Sequence, residues 1–350
     1  MQTTYLIPAV GLGIVLVAAG CGGSDDPAAR AATSADSPAR AAKVDLPGGR
    51  IAFRRFFDDA QTHGAVFTVN PDGSGEKQIT DPPAGYIDDQ PDWSPDGKRI
   101  AFERCNERKG CKAFTVAADG GRPHKVPVRC RLKPVCDVGS PSWMPDGRIV
   151  VGVAQGHARY HGDMNQIQRF SVELIDLRRR TQRTIIKRTG WHGDTATPAA
   201  SPDGRRIVYK RWNSWRSKPV DGQALYVVRV NGSHNHRVTP WALGAGDHPG
   251  FSPDGSKILF RSYEEDESRQ SDFWTVHPDG SGLAQLTHFK PGTLVRSASY
   301  SPDGKWIVHA TDGVDGNADI FVMRADGTGN QPVTRSKLWD SAPDWGPAGS

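Results

Sequence analysis

No apolar run in the 350-residue sequence is long enough to cross a bilayer as a helix. The longest, Tyr5 to Ala19, has about 15 residues against the roughly 20 that a spanning helix needs. Catalytic signatures are missing too: there is no G-x-S-x-G elbow, no H-E-x-x-H pair and no phosphate-cradling glycine loop. Cysteines number five and none stand in C-x-x-C spacing, which argues against zinc. No block is basic enough to argue for nucleic acid. The formal charge of +5 comes from 44 basic and 39 acidic residues that alternate along most of the chain, so a nucleic-acid partner is not expected. Segments of helical period and a Gly-X-Y period are also lacking, which excludes bundles, βαβ folds and collagen. What is abundant is Gly (39) and Pro (26), about 19% of the chain together, against roughly 12% in average usage. With 29 aromatic residues (10 Trp, 7 Tyr, 12 Phe) the chain is too apolar for disorder. The surplus Gly and Pro must serve turns, and frequent turns mean many short strands.

The Tyr5–Ala19 run ends in Ala18-Ala19-Gly20-Cys21. Small residues followed by a cysteine resemble the bacterial lipoprotein signal, which implies that Cys21 is lipidated and becomes the new N-terminus. Residues 22–47 are rich in Gly, Ser, Ala, Pro and Asp without hydrophobic periodicity, a composition that cannot bury a core. The expected organisation is a signal peptide (1–20), a disordered tether (21–47) and one domain (48–350). Export suits the remaining cysteines, Cys105, Cys111, Cys130 and Cys136. An even number in an oxidising compartment suggests two disulfides. Of three pairings, Cys105–Cys111 and Cys130–Cys136 are favoured because each encloses a short loop.

Five segments share one pattern: SPDGKRIAF from Ser94, MPDGRIVV from Met144, SPDGRRIVY from Ser201, SPDGSKILF from Ser252 and SPDGKWIVH from Ser301. Partial copies surround Gly48 and Gly349. The anchor glycines Gly48, Gly97, Gly147, Gly204, Gly255, Gly304 and Gly349 are spaced 49, 50, 57, 51, 49 and 45 residues apart, which bounds six units. In Pro-Asp-Gly, Pro presets φ, Asp bonds its own backbone and Gly accepts positive φ, so the motif is a tight turn between strands. A second turn follows 20–25 residues later, as in NPDGSG from Asn70, HPDGSG from His277 and RADGTG from Arg324. Each unit is therefore four short antiparallel strands, the signature of a propeller blade.

The motif P-x-W-S-P-D-G-x-x-I-x-F, paired with D-G-x-x-x-x-x-(L/V/I)-T, resembles the TolB-type propeller repeat over residues 48–350. The resemblance implies an all-β, six-bladed propeller of four-stranded antiparallel blades. C-terminal Ala342-Pro343-Asp344-Trp345 is expected to supply the innermost strand of the N-terminal blade and close the ring. No segment is left for the hydrolase domain of prolyl oligopeptidase-type propellers.

Strand alternation puts both turn types on one face. The loops between second and third strands, and those between blades, lie on the other. That irregular face holds the candidates. Around the mouth of the central channel stand Asp88, Asp89, Asp247, His248 and Asp340. The longest unit contributes His157, His161, Asp163, Trp191, His192 and Asp194, and the next one Trp212 and Trp215. A divalent cation at the channel or at the His157/His161/His192 loops is one expectation, and tryptophans among cations suit a sugar or an acidic partner. Arg178-Arg179-Arg180 reads as a variant hairpin end lacking the turn glycine. The resulting expectation is an exported, monomeric, membrane-anchored binding module for an envelope protein or cell-wall polymer, without chemistry of its own. The alternative is a polysaccharide lyase or glycosidase using a His/Asp or metal cluster on the loop face.

Overall fold

Six groups of four strands follow one another along the chain. The computed structural model describes residues 46–156, 167–189, 195–213, 222–246, 248–262, 271–312 and 317–349. The first group opens with β1 (Ile51–Phe56), β2 (Gly64–Val69) and β3 (Lys77–Gln78). The second comprises β4 (Ile87–Trp93), β5 (Arg99–Asn106), β6 (Gly110–Ala117) and β7 (His124–Lys125). The third is β8 (Val135–Trp143), β9 (Ile149–Gly156), β10 (Ile167–Asp176) and β11 (Thr181–Thr189). The fourth is β12 (Thr195–Ala200), β13 (Arg206–Asn213), β14 (Gly222–Arg229) and β15 (His236–Arg237). The fifth is β16 (Gly250–Phe251), β17 (Ile258–Arg261), β18 (Phe273–Val276) and β19 (Ala284–Gln285). The sixth is β20 (Val295–Tyr300), β21 (Trp306–Asp312), β22 (Ala318–Arg324) and β23 (Gln331–Pro332), after which β24 (Asp340–Trp345) returns to β1. Pairing within every group is antiparallel in sequence order, as a propeller requires.

The repeated residues are explained by the turns. In four units the serine of Ser-Pro-Asp-Gly donates its hydroxyl to the aspartate two residues on, at 2.7 Å from Ser94 to Asp96 and 2.7 Å from Ser301 to Asp303. The same hydroxyl accepts the backbone N–H five residues on, 2.9 Å at Arg99, Arg206, Lys257 and Trp306. The turn serines are thus consumed by backbone geometry. In four of the six units the threonine after the outermost strand has a matching task. Thr80, Thr239, Thr287 and Thr334 accept the N–H of Val66, Leu225, Phe273 and Ile320 at 2.9 to 3.0 Å. These buried N–H groups would otherwise be orphaned.

The core lies between neighbouring sheets. Ala52 and Val66 of the first group pack with Trp93, Ile100, Phe102 and Val116 of the second. Ile51, Phe53 and Trp345 pack likewise against Trp306, Val308 and Ile320 of the sixth. One aromatic of the second strand is replaced in the sixth group by His309, which is fully buried. Its Nδ1 lies 2.7 Å from Thr311 Oγ1 and its Nε2 2.8 Å from Asn330 Oδ1, and its ring stacks on Phe321. Burial pushes its pKa down to about 4, so it serves as a neutral aromatic with two polar tethers. The two disulfides are Cys105–Cys111 and Cys130–Cys136.

Closure joins the two ends of the domain. β24 pairs antiparallel with β1 through Ile51↔Trp345, Ala52↔Asp344 and Arg55↔Asp340. Arg55 grips Asp340 with two N–H donors, each at 2.7 Å, and reaches Glu76 at 2.6 Å. Removing residues 340–350 strips β1 of its partner, empties the Trp345 site and leaves Arg55 buried without Asp340. The expected cost exceeds about 4 kcal/mol, from the lost aromatic and the broken buried pair together. Denaturant unfolding of the truncated chain checks it, and an unchanged midpoint refutes this role for β24.

Candidate functional site

The innermost strands line a narrow central cavity of about 110 Å3. Each contributes one tripeptide: Gln90-Pro91-Asp92, Ser140-Pro141-Ser142, Thr197-Pro198-Ala199, His248-Pro249-Gly250, Ser297-Ala298-Ser299 and Ala342-Pro343-Asp344. Five of these strands bulge here. On β4, Asp89 opposes Glu103 and Asp92 opposes Ala101, so three residues advance against two. β8, β12, β20 and β24 show the same slip. The extra residue leaves one ladder position unpaired, and proline, lacking an N–H, fits it. The residue before each proline takes up the turn, with φ of 54° at Gln90, 47° at Ser140, 49° at Thr197, 59° at His248 and 54° at Ala342. Left-handed backbone at a residue with a Cβ costs on the order of 1–3 kcal/mol, a strain held in place by the closed ring.

Neighbouring blades are latched by the residue after these prolines. Asp344 accepts the N–H of Trp93 at 2.8 Å and the hydroxyl of Ser299 at 2.7 Å. Asp92 accepts the N–H of Trp143 at 2.7 Å. Desolvation, then the charge of Asp344, holds the Asp92 carboxyl well above the usual range, and desolvation raises Asp344 as well.

At the loop-face end, acids meet arginines. Asp88 receives Arg104 at 2.5 and 2.7 Å, Asp340 receives Arg55, and Asp89 receives Arg54, which also donates to Ser341. In the sixth sheet the polarity is reversed, with Arg296 on the innermost strand and Asp312 on the second, at 2.7 and 3.0 Å. Asp88, Asp89 and Asp340 are three of the residues expected to face a divalent cation at the channel mouth. Each carboxylate already has a guanidinium matched to it, most of them bidentate, and a metal would have to displace it. Beside them Glu103 accepts the N–H of Ser140 at 2.6 Å, and desolvation, then the charge of Asp89, lifts its pKa to about 7.

The other predicted residues divide into two sets. His248 lines the cavity. Trp212 is 38% exposed on the second strand of the fourth sheet, with Lys210 Nζ 5.8 Å from its ring. His157, His161, Asp163, Trp191, His192, Asp194, Trp215 and Asp247 lie outside the described residues, as does Cys21.

Comparison with known proteins places this architecture. A family model described as the TolB beta propeller domain matches residues 168–350, just over half of the chain. The chain belongs to the TolB β-propeller family. Among curated proteins it is 26% identical to dipeptidyl-peptidase 5 of Porphyromonas gingivalis over 301 residues, 75% of this chain and 43% of that protein. It thus spans less than half the length of that relative. Among solved structures, TolB from Acinetobacter baumannii superposes with a TM-score of 0.62 at 21% identity, covering 85% of this chain and 67% of that one. An oligogalacturonate lyase in complex with manganese superposes with a TM-score of 0.53 at 14% identity, over 78% of this chain and 71% of that one. At these identities the structures show the fold.

In this TolB-type propeller the polar groups that matter most at the mouth escaped the sequence reading: Arg54, Arg55, Glu103, Arg104, Asp92 and Asp344. The available signal was the Asp of P-D-W, present in two of the six innermost strands. Glu103 generates a pH dependence. Its folded pKa of about 7 lies above the ordinary 4.5, so its stabilising contribution is complete below about 4.5 and is lost as pH rises through 7. Asp92 and Asp344 are raised too and add to the same slope. Glu103→Gln is therefore expected to raise stability by roughly 1–3 kcal/mol near pH 8 and to change little near pH 5. Urea titrations at both pH values measure this, and a variant equally shifted at both contradicts it.

Proposed function

We propose that this chain is an exported, lipid-anchored propeller that binds an envelope protein or cell-wall polymer at the loop-face end of its ring. The reading rests first on the mouth. Asp88, Asp89 and Asp340 are each matched by an arginine, which gives a rigid, near-neutral rim rich in oriented donors and acceptors. Such a rim recognises polar groups by hydrogen bonding. The exposed Trp212 beside Lys210 adds a flat apolar surface of the kind that stacks on a sugar ring or a partner side chain. Cys21 supplies the anchor and residues 22–47 the tether in this reading. The turn serines, bonded within their own turns, are not nucleophiles.

The second reading, an enzyme acting on polysaccharide, is favoured by the likeness to the oligogalacturonate lyase. It would draw on His157, His161 and His192 for a metal. Manganese titration of the purified chain, with and without those histidines, separates the two.

The expected outcome for the first reading is face-specific capture. A photo-crosslinking residue at Trp212 should trap a defined partner in intact cells, and the same residue at Ser256, in a turn of the opposite face, should not. Equal capture from both faces refutes it. Mass spectrometry of the mature N-terminus should show a lipid-modified Cys21 as first residue, and an unmodified Cys21 refutes the anchor.

A further inference from the structure

The regular turn face carries a feature that repeat geometry does not require. Between the second and third sheets lies a groove of about 820 Å3. Its walls carry Arg99 of β5, Arg122, His124 and Lys125 around β7, and Arg180 from the β10–β11 turn. All five side chains are exposed, and no carboxylate lines the groove. Its floor is apolar, from Val126 and Leu177. Among the described residues none of Arg99, Arg122, Lys125 and Arg180 makes an ion pair. Arg99 rests over the Trp143 ring at 4.6 Å, which fixes its guanidinium while leaving its donors free. Two of the nearby turn acids are already engaged. Asp96 accepts Ser94 and the N–H of Lys98, and Asp176 accepts the N–H groups of Arg178 and Arg179 together with the Arg179 guanidinium.

The repeat supplies its own control. The corresponding groove between the fourth and fifth sheets, about 530 Å3, includes Asp279 of the turn that packs against it. In that turn Asp279 precedes Gly280, which has φ of 90°. The third sheet replaces this Asp-Gly by Arg178-Arg179-Arg180, and Arg180 takes the left-handed position with φ of 54°. A glycine there would be free of strain, and an aspartate before it would complete the turn. The chain instead holds an arginine in an unfavourable conformation and lacks the acid that the fifth sheet's turn places in its groove.

We propose that this groove binds a linear polyphosphate, its phosphates joined directly to one another, using the four unpaired cations as charge-assisted donors. The volume falls in the range of ligand sites and exceeds what one phosphate fills. The site lies at the opposite end of the strands from the rim proposed above and does not depend on that reading.

The test is calorimetric titration of the full chain with tripolyphosphate at low and moderate salt, with orthophosphate as second probe. Tripolyphosphate is expected to bind, more tightly than orthophosphate and more weakly as salt rises. Arg122→Gln with Lys125→Gln should weaken it about a hundredfold, at roughly tenfold per lost charge-assisted contact. Arg180→Gly restores the repeat glycine, so it should keep or raise the melting temperature while weakening tripolyphosphate about tenfold. Arg229→Gln, in the corresponding groove, should leave binding within about twofold, since it removes a charge without touching the proposed contacts. Absence of tripolyphosphate binding, equal affinity for orthophosphate, equal loss in Arg229→Gln, or tighter binding of a single-stranded DNA oligonucleotide of equal charge each overturns the proposal.

Discussion

The antiparallel pairing of β24 with β1 is the contact on which the rest of the ring depends. Every blade buries its flanks only against its neighbours, so an unclosed array exposes two flanks and two sheet edges. Closure removes all four at once. It also explains why the most heavily bonded ion pair, Arg55 with Asp340 and Glu76, sits at this seam and not elsewhere. A buried guanidinium with two carboxylates contributes little by itself, but it is intolerant of misregister. Slipping β24 by one residue would strand Arg55 beside Ser341 and turn Trp345 away from the core. The seam is thus specified by a polar pair and filled by an aromatic.

From the seam the latches run around the channel. Asp344 holds the backbone of Trp93, and Asp92 holds that of Trp143. Ser142 makes a longer contact to Ala200 at 3.4 Å, and the fourth and fifth tripeptides offer only Ala199 and Gly250 at this position. The latch therefore weakens away from the seam. Asp92 and Asp344 are both held up by desolvation, and both line the same small cavity. Ring integrity and proton occupancy are linked at one place, and the left-handed residues before the prolines draw the backbone inward to make that link.

The repeats made the fold legible. Pro-Asp-Gly names a turn chemically, and seven anchor glycines at near-equal spacing state the number of units; the groups of strands and both disulfides followed that reading. The serine and threonine of the motifs were visible as repeats, and the hydrogen bonds gave them their reason. The mouth was less legible. Asp88, Asp89 and Asp340 read as free acids because their partners, Arg104, Arg54 and Arg55, lie on different strands, 16, 35 and 285 residues away. Sequence proximity carries no charge pairing across a sheet, since opposition depends on register, and the bulges shift that register by one residue in five strands. Glu103 was invisible for the same reason: its pKa follows from where β4 and β8 place Asp89 and Ser140.

The two faces now invert the expectation drawn from regularity. Among the described residues the acids at the mouth of the irregular face, Asp88, Asp89 and Asp340, are each matched by an arginine. The regular face has one groove where the repeat was broken and the cations were left unmatched. Irregular backbone marks where a chain is free to vary, but unmatched charge marks where it attracts. A turn of the expected length and sequence would have placed an aspartate in that groove and cancelled much of its field. Arg180 in the glycine position does the opposite at a conformational cost, and a cost borne by an exposed turn, where packing demands nothing, is better explained by what it binds than by how it folds.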